Sequence, residues 1–227
     1  MVILLLISDI QTVDGVKRKG EKTRAILKSY ARNIGTSCSE ATIVKDSQAF
    51  ENINKDTTRN HIEALRKLFI IEDLPAWSPR LRSKTAIRTG VTRFFTDPAI
   101  AAYFLDASPD DLLSDFNAYG FLFEALVIRD LRIHAEGING RIYHYRDKNG
   151  LEADAIIHLH NGKWAAVEAK LGSNRINEGA KNLLKLASLI EEKEMGKPEF
   201  LMVVACTEYA YEREDGVLVV PIATLKN

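Results

Sequence analysis

The apolar stretch WAAVEAKL, residues 164–171, carries a carboxylate and an ammonium group two positions apart. Turn-forming residues bound it on both sides, with HNGK before it and GSN after it. Alternation along a strand places Glu168 and Lys170 on one face and apolar side chains on the other. The stretch therefore predicts a short β-strand with two ionisable groups on a single face.

Two further strands are predicted upstream, RIYHYR at 141–146 and LEADAIIHL at 151–159. The turn signals DKNG and HNGK join the three segments, which favours an antiparallel meander. Alternation in the middle strand puts Asp154 on the face of Ile156, opposite Ala153, Ala155, Ile157 and Leu159. If the hairpin pairs in register, Asp154 and Glu168 lie on neighbouring strands on the same side.

Helical patterns flank these strands. The segment 117–136 has one stripe formed by Phe121, Glu124, Ala125, Ile128 and Leu131. Glu124 is thus expected on the buried face, where an unpaired carboxylate is costly. A second helix is predicted at 177–194, followed by the strands FLMVVAC and VLVVP. The order of elements predicts an α/β (α+β) domain with a mixed sheet.

The first half of the chain is basic and helical. Residues 1–93 hold 17 Lys and Arg against 10 Asp and Glu. Helices are predicted at 20–33, 39–50 and 55–71, the third with Asp56 or Thr57 as its N-cap. Three short helices favour a helix-turn-helix, with IIEDLP and VTRFFTD pairing as a wing. A small helical bundle with a solvated basic loop is the structural alternative.

Two groups of residues are candidates for binding DNA in that interpretation. The first opens the third helix, whose initial turns are expected to be exposed. The second lies in WSPRLRSKTAIR, between the two wing segments. Basic and polar side chains of this kind bind phosphates. The candidates are Lys55, Thr58, Arg59, Asn60, Arg80, Arg82, Lys84 and Arg88.

Three carboxylates converging beside one lysine need a compensating charge. Mg²⁺, or Mn²⁺ in its place, prefers oxygen ligands and binds through one or two carboxylates while keeping several waters. Such an ion stabilises phosphate charge and lowers the pKa of its bound water. The structural alternative is that Glu168 and Lys170 form a solvated face and that Glu124 pairs with Lys170 or an arginine.

The pattern LFE…GLEADAII…VEAK resembles the PD-(D/E)XK nuclease superfamily. The resemblance implies that Asp154 is the motif aspartate, Glu168 the acidic residue, Lys170 the lysine and Glu124 the helix glutamate. It also implies that Asp154, Glu168 and Glu124 bind the metal ion and that all four residues are catalytic. Ala153 stands where the motif name has proline, a position that often varies.

Nearly the whole chain resembles the C-terminal part of bacterial and archaeal AAA-type ATP-binding proteins, on DIQTVDG, LPAWSPRLRSK and RDKNGLEADAI. The resemblance implies a winged-helix-like domain at 1–95, opening with a remnant of the ATPase lid, and a PD-(D/E)XK nuclease-like domain at 96–227. The chain contains no G-x-x-x-x-G-K-[ST] motif, so we do not expect it to hydrolyse ATP.

The sequence thus favours a Mg²⁺-dependent, nuclease-like, DNA-binding protein. The alternative is a catalytically inactive DNA-binding or regulatory docking module of an ATPase system. Expected partners are DNA and a separate ATPase subunit. No membrane is expected, because the apolar start MVILLLIS is far shorter than a spanning helix. The two cysteines, Cys38 and Cys206, fit a cytoplasmic setting.

Overall fold

The computed structural model describes residues 10, 13–79, 90–190 and 195–225. Contacts divide the chain into two compact units. We call the first the helical unit; it consists of Met1–Asp73 and Thr92–Asp115. We call the second the sheet unit; it consists of Leu74–Val91 and Phe116–Asn227. Each is described by itself.

Five helices lie in the described part of the helical unit. They are α1 (Gly20–Arg32), α2 (Glu40–Gln48), α3 (Lys55–Lys67), α4 (Pro98–Phe104) and α5 (Pro109–Ser114). The three predicted helices of the first half are therefore confirmed. The predicted cap of α3 is wrong, because Asn54 is the N-cap and its side chain accepts a hydrogen bond from the Thr57 backbone N–H. An Asn side chain at this position starts the helix earlier than Asp56 would.

The expected wing segments are paired. Strands β1 (Leu74–Pro75) and β2 (Val91–Thr92) form a two-stranded sheet, and an isolated bridge joins Ile71 to Phe95. Phe69 falls inside the helix predicted at 55–71, but it does not belong to α3. It lies beyond the helix end with φ +54° and is 77% exposed. Leu74, Pro75 and Val91 group by contacts with the sheet unit, and only Thr92 of these strands groups with the helical unit. That the helical unit is a winged helix stays a prediction.

A buried ionic network lies within the helical unit. Asp73 accepts hydrogen bonds from Tyr30 Oη at 2.8 Å, Arg93 Nη1 at 2.8 Å and Arg66 Nη2 at 2.6 Å. The side chains of Asp73 and Arg93 are both 6% exposed. Arg93 Nε also donates to the Cys38 carbonyl oxygen at 3.1 Å. Buried charges of this kind are tolerated only when they are paired and hydrogen-bonded.

The sheet unit contains two long helices and a six-stranded sheet among its described residues. The helices are α6 (Phe116–Gly137) and α7 (Ile176–Leu189). The strands are β3 (Gly140–Arg146), β4 (Glu152–Leu159), β5 (Trp164–Lys170), β6 (Leu201–Ala205), β7 (Tyr211–Glu212) and β8 (Leu218–Pro221). Within the described ranges, no helix has the length and apolar composition needed to cross a membrane.

The sheet has the order β3-β4-β5-β6-β8-β7. Strands β3, β4 and β5 form an antiparallel meander. Strand β6 lies between β5 and β8 and pairs with each of them in parallel. The predicted mixed α/β sheet is therefore confirmed. The short edge strand β7, antiparallel to β8, was not predicted. That the domain is nuclease-like stays a prediction.

Helices cover the middle of the sheet. α7 packs against β4, β5 and β6 through Ile176, Ala180, Leu183 and Leu186, while α6 packs against β3, β4 and β5. Strand β5 is consequently buried from Trp164 to Glu168. A central strand covered on both faces does not show the half-exposed pattern of a surface strand.

The predicted domain boundary at residue 95 does not coincide with the division by contacts. Residues 96–115, which include α4 and α5, group with the helical unit. The reason is local packing, because α4 contacts α1 and Ala101 and Phe104 of α4 are buried. The division into a 1–95 and a 96–227 functional module stays a prediction.

Candidate active site

A β-bulge shapes the site from β4. Tyr143 of β3 pairs with Ile156, and Tyr145 pairs with Ala153, so one residue of β3 faces two residues of β4. The two are Asp154 and Ala155. The predicted strict alternation is therefore wrong here, since Ala153 and Ile156 pack into the same apolar core. Bulges interrupt the ladder and re-aim side chains, often next to active sites.

The bulge also separates β4 from β5. Their described ladder ends at the pair Ala155–Val167. Beyond that pair, the Asp154 side chain is the acceptor instead of the β4 backbone. Its Oδ2 accepts a hydrogen bond from the Ala169 backbone N–H at 2.8 Å. This contact satisfies a strand amide that has lost its partner on β4, and it fixes the carboxylate beside the end of β5.

Lys170 joins the two carboxylates at this end of the sheet. Its Nζ lies 3.6 Å from Asp154 Oδ2 and makes a close ion pair with Glu168 Oε2. The Glu168 side chain is 3% exposed and that of Lys170 is 13% exposed. We call Asp154, Glu168 and Lys170 the acid–lysine cluster. The structure thus brings these three predicted residues together and rejects the solvated-face alternative for Glu168 and Lys170.

Helix α7 supports the cluster through a residue without a side chain. A Cβ added at Gly179 would lie 3.4 Å from both Glu168 Cβ and Lys170 Cε and 3.3 Å from Val203 Cγ2. The glycine therefore lets the helix backbone approach β5 closely. This approach buries Glu168 and limits the conformations open to the Lys170 side chain.

A cavity of about 590 Å³ opens beside the cluster. Glu124 of α6 lines it together with Asp154 and Lys170. Glu124 is partly buried, and its carboxyl group borders the cavity. The remaining lining residues are Phe116, Asn117, Gly120, Phe121, Ala169, Leu171, Gly172, Asn174 and Arg175.

The electrostatics of the site raise the pKa of two carboxyl groups, Glu168 and Glu124. Burial, then the charge of Asp154, raises the pKa of Glu168 to about 8, although the Lys170 ammonium opposes the shift. Burial and the same aspartate raise the pKa of Glu124 well above its usual range. Burial alone lowers the pKa of Lys170, but the charges of Asp154 and Glu168 outweigh it and raise that pKa. The single ammonium group of Lys170 therefore does not compensate the negative charge of the three neighbouring carboxyl groups.

The raised pKa of Glu168 predicts a pH-dependent stability. A carboxyl whose pKa is higher in the folded state stabilises the fold fully below its unfolded value near 4.5, and that contribution is lost as pH rises through about 8. The melting temperature of the wild type should therefore fall across this window relative to that of Glu168→Gln, which keeps the shape but does not titrate. Parallel melting curves of the two proteins against pH would contradict the expectation.

The donor atoms of the cluster suit a divalent cation of the Mg²⁺ type. Asp154 and Glu168 supply carboxylate oxygens around one cationic position, which Lys170 Nζ occupies in the described arrangement. Mg²⁺ commonly uses one or two carboxylates and several waters. Among the described residues, no set of three His, Cys, Asp or Glu side chains is arranged to hold a metal ion. The metal role of Glu124 stays a prediction.

The candidate DNA-binding residues of α3 are only partly available. Lys55 and Arg59 are exposed, and Arg59 pairs with Glu40 at 3.2 Å. Thr58 was expected at the surface but is 1% exposed, and its Oγ1 donates to the Asn54 carbonyl oxygen. Asn60 accepts a hydrogen bond from Arg18 Nε at 2.8 Å. Arg80, Arg82, Lys84 and Arg88 lie outside the described residues.

Sequence analysis did not identify several residues that line the cavity. Phe116 and Gly120 precede Glu124 by two turns and one turn of α6, and Asn174 and Arg175 follow Lys170 closely. The i, i+4 spacing of Phe116, Gly120 and Glu124 was a usable signal, since such residues share a helix face. Arg175 carried no signal until the turn after β5 was known.

Comparisons with known proteins divide the chain in two. Residues 119–225 match the model of a domain of unknown function, DUF4143, which is found in AAA-ATPase-associated proteins. Residues 2–111 match the model of another domain of unknown function, DUF8612. The matches adjoin near the boundary between Asp115 and Phe116 that contacts define. No curated protein matches the chain.

A solved structure with some likeness is a refined half-complex from the tetradecameric assembly of Thermococcus gammatolerans McrB AAA+ hexamers with bound McrC. The identity is 10%, the alignment covers 91% of this chain, and the TM-score is 0.29. The chain spans 48% of the length of that chain. A TM-score of this size carries no argument about fold or function.

All four residues predicted for the active site lie inside the match at 119–225. These are Glu124, Asp154, Glu168 and Lys170. The match is to a domain found in AAA-ATPase-associated proteins.

Proposed function

We propose that the sheet unit is a metal-dependent nuclease-like module that hydrolyses phosphodiester bonds in DNA. The observation that carries the proposal is the acid–lysine cluster. Two carboxylates and a lysine, held by strands that separate at a bulge, meet at the edge of a cavity that Glu124 also lines. A purely structural ion pair needs neither the excess of acids nor the adjoining cavity.

In this proposal Asp154 and Glu168 hold Mg²⁺ or Mn²⁺, and Lys170 faces the scissile phosphate. When bound, the ion would act as a Lewis acid that neutralises charge on the phosphate and lowers the pKa of a bound water. A water would attack the phosphorus and lose a proton to the solvent, the bond from phosphorus to the leaving oxygen would break, and that oxygen would take a proton from a carboxyl group of the site. Lys170 Nζ donates to the phosphate oxygens, where negative charge develops.

Glu124 carries a proton in the proposed reaction. Burial and the charge of Asp154 raise its pKa, which favours the protonated form that a proton donor requires. It lines the same cavity as Asp154 and Lys170, and so it borders the space assigned to the substrate. We therefore assign to it the proton that the leaving oxygen takes.

The test is cleavage of supercoiled, linear and branched DNA by the purified full chain with Mg²⁺, Mn²⁺ or EDTA. The proposal expects products with either metal and none with EDTA. An absence of cleavage of every form with both metals would contradict it. Asp154→Asn, purified in parallel, is the matched control for a contaminating nuclease.

A second candidate function is a catalytically inactive DNA-binding or docking module. It is favoured by the ion pairs of Lys170, which already neutralise part of the acidic charge without a metal. In this alternative the cluster only stabilises the fold, and a separate ATPase subunit is the partner. Retained DNA binding without any cleavage would support this alternative.

We also propose that the helical unit binds duplex DNA through the first turns of α3. Lys55 and Arg59 are exposed there, and they are followed along the chain by the basic residues Arg80, Arg82, Lys84 and Arg88. Phosphate contacts from such residues give affinity that is independent of base sequence and falls steeply with salt.

Replacing Lys55 and Arg59 with alanine should weaken binding to all duplex sequences alike. Each lost phosphate contact should reduce the slope of log K against log salt by about 1. Fluorescence anisotropy at several salt concentrations measures both quantities. Lys67→Ala, at the other end of α3, is the control that removes a positive charge outside the proposed contact surface. An unchanged affinity and slope would assign the two residues to a solvated face.

A further inference from the structure

One face of α6 contributes three residues to the lining of the cavity. Phe116, Gly120 and Glu124 follow one another at intervals of four residues, so they lie on one helix face, with Glu124 nearest the acid–lysine cluster. Phe116 is 66% exposed, which is unusual for a large aromatic side chain that lines a cavity. This face therefore offers an aromatic ring, then a gap, then a carboxyl group.

Neither the backbone conformation nor the packing requires a glycine at position 120. Its φ is not in the left-handed region, and a Cβ added there meets no atom within 4 Å. Glycine inside a helix is destabilising relative to alanine. Gly179 differs, because a Cβ there would press on Glu168 and Lys170. What Gly120 provides is open space beside the cluster.

Polar and cationic residues also line the cavity, namely Asn174, Arg175 and Lys170. Glu178 holds the Arg175 side chain, with Nε at 3.1 Å from Oε2 and Nη2 at 3.0 Å from Oε1. Arg175 is still 60% exposed, so its guanidinium remains accessible to an anionic ligand.

We infer that this cavity accepts an unpaired nucleotide, with its base stacked on Phe116 in the space at Gly120 and its phosphate facing Lys170 and Arg175. The inference rests on the proposed function and names the substrate as a single-stranded segment or a frayed end. In a duplex both faces of a base are covered by its neighbours. A ring at a cavity wall stacks only on a base that has left the helix.

The test compares single-stranded and duplex oligonucleotides of one sequence, as DNA and as RNA, with the full chain. Phe116→Ala removes the ring and Gly120→Leu fills the gap. Loss of one stacked base corresponds to roughly 5- to 150-fold in affinity. We expect both variants to lose affinity for single strands by this factor and to lose less affinity for the duplex. Anisotropy with EDTA measures binding, and cleavage with Mg²⁺ should show the same preference.

Gly137→Leu is the matched control, since Gly137 lies in the same helix, has open space around it and does not line the cavity. Gly120→Ala should raise the melting temperature while weakening single-strand binding, a combination that a structural role for Gly120 does not give.

The inference is overturned if the wild type prefers the duplex, or if Gly120→Leu and Phe116→Ala bind single strands as the wild type does. The binding arm separates this result from failure of the proposed function. One outcome would support the binding of an unpaired nucleotide in the cavity while contradicting the nuclease proposal. In that outcome no DNA is cleaved, Gly120→Leu weakens the binding of single strands, and Gly137→Leu does not.

Discussion

Replacing Lys170 with methionine should lower the rate of phosphodiester cleavage by about 10²–10³-fold, the usual cost of removing one donor aimed at developing charge. Methionine keeps much of the side-chain bulk beside Gly179 but cannot donate to the phosphate. Single-turnover cleavage of labelled DNA with saturating Mg²⁺ measures the effect on the chemical step. Activity that persists undiminished in the variant would identify a contaminating nuclease.

Two further variants separate charge from geometry in that experiment. Lys170→Arg retains a positive charge near Asp154 and Glu168, so it should fold like the wild type while still losing rate through its altered shape. Asp154→Asn should act through the metal instead, and its activity should recover in part at higher Mg²⁺ concentration. Lys170→Met should recover no activity at higher Mg²⁺, because its defect lies in the chemical step.

Replacing Asp73 with alanine should destabilise the helical unit by about 3–5 kcal/mol, the range measured when one partner of a buried ion pair is removed. The change leaves the Arg93 guanidinium, 6% exposed, without its carboxylate, and it removes the acceptor of the Tyr30 hydroxyl. Urea-induced unfolding followed by circular dichroism gives the free energy of unfolding.

The matched control is the exposed ion pair between Glu40 and Arg59. Removing it with Glu40→Ala should cost less than about 1 kcal/mol, because water solvates both groups. Tyr30→Phe removes the hydroxyl that donates to Asp73 and accepts from Arg93 Nη1, but it leaves the Asp73–Arg93 ion pair in place, so it should cost less than Asp73→Ala, about 0.5–1.5 kcal/mol for each hydrogen bond lost. Equal effects of Asp73→Ala and Glu40→Ala would show that the buried network does not stabilise the fold.

The sequence predicted the meander and the acid–lysine cluster because turn signals and period-2 alternation are local properties. DKNG and HNGK fix the hairpins, and the alternation within β5 holds Glu168 and Lys170 together. The alternation failed in β4, because the bulge at Asp154 depends on how β4 pairs with β3. A register of this kind is set by partners distant in sequence, which a single strand does not specify.

Other errors have similar causes, although one was avoidable. Thr58 lies one turn before Ile62 on the buried stripe of α3, so helical periodicity would have predicted its burial. The pairing of Asp73 with Arg93 had no such signal, since buried polar partners leave no periodic trace. The i, i+4 spacing places Phe116 and Gly120 on the helix face of Glu124, but only the packing of α6 on the sheet shows that this face lines a cavity.

Binding of Mn²⁺ to the free protein, measured by electron paramagnetic resonance, tests most directly whether the acid–lysine cluster is a metal site. The account predicts bound Mn²⁺ that excess Mg²⁺ displaces and that Asp154→Asn loses. Lys170→Met should retain or strengthen the binding, because the ammonium competes with the ion for Asp154 and Glu168. No bound Mn²⁺ in the wild type, or equal binding in Asp154→Asn, would contradict the account.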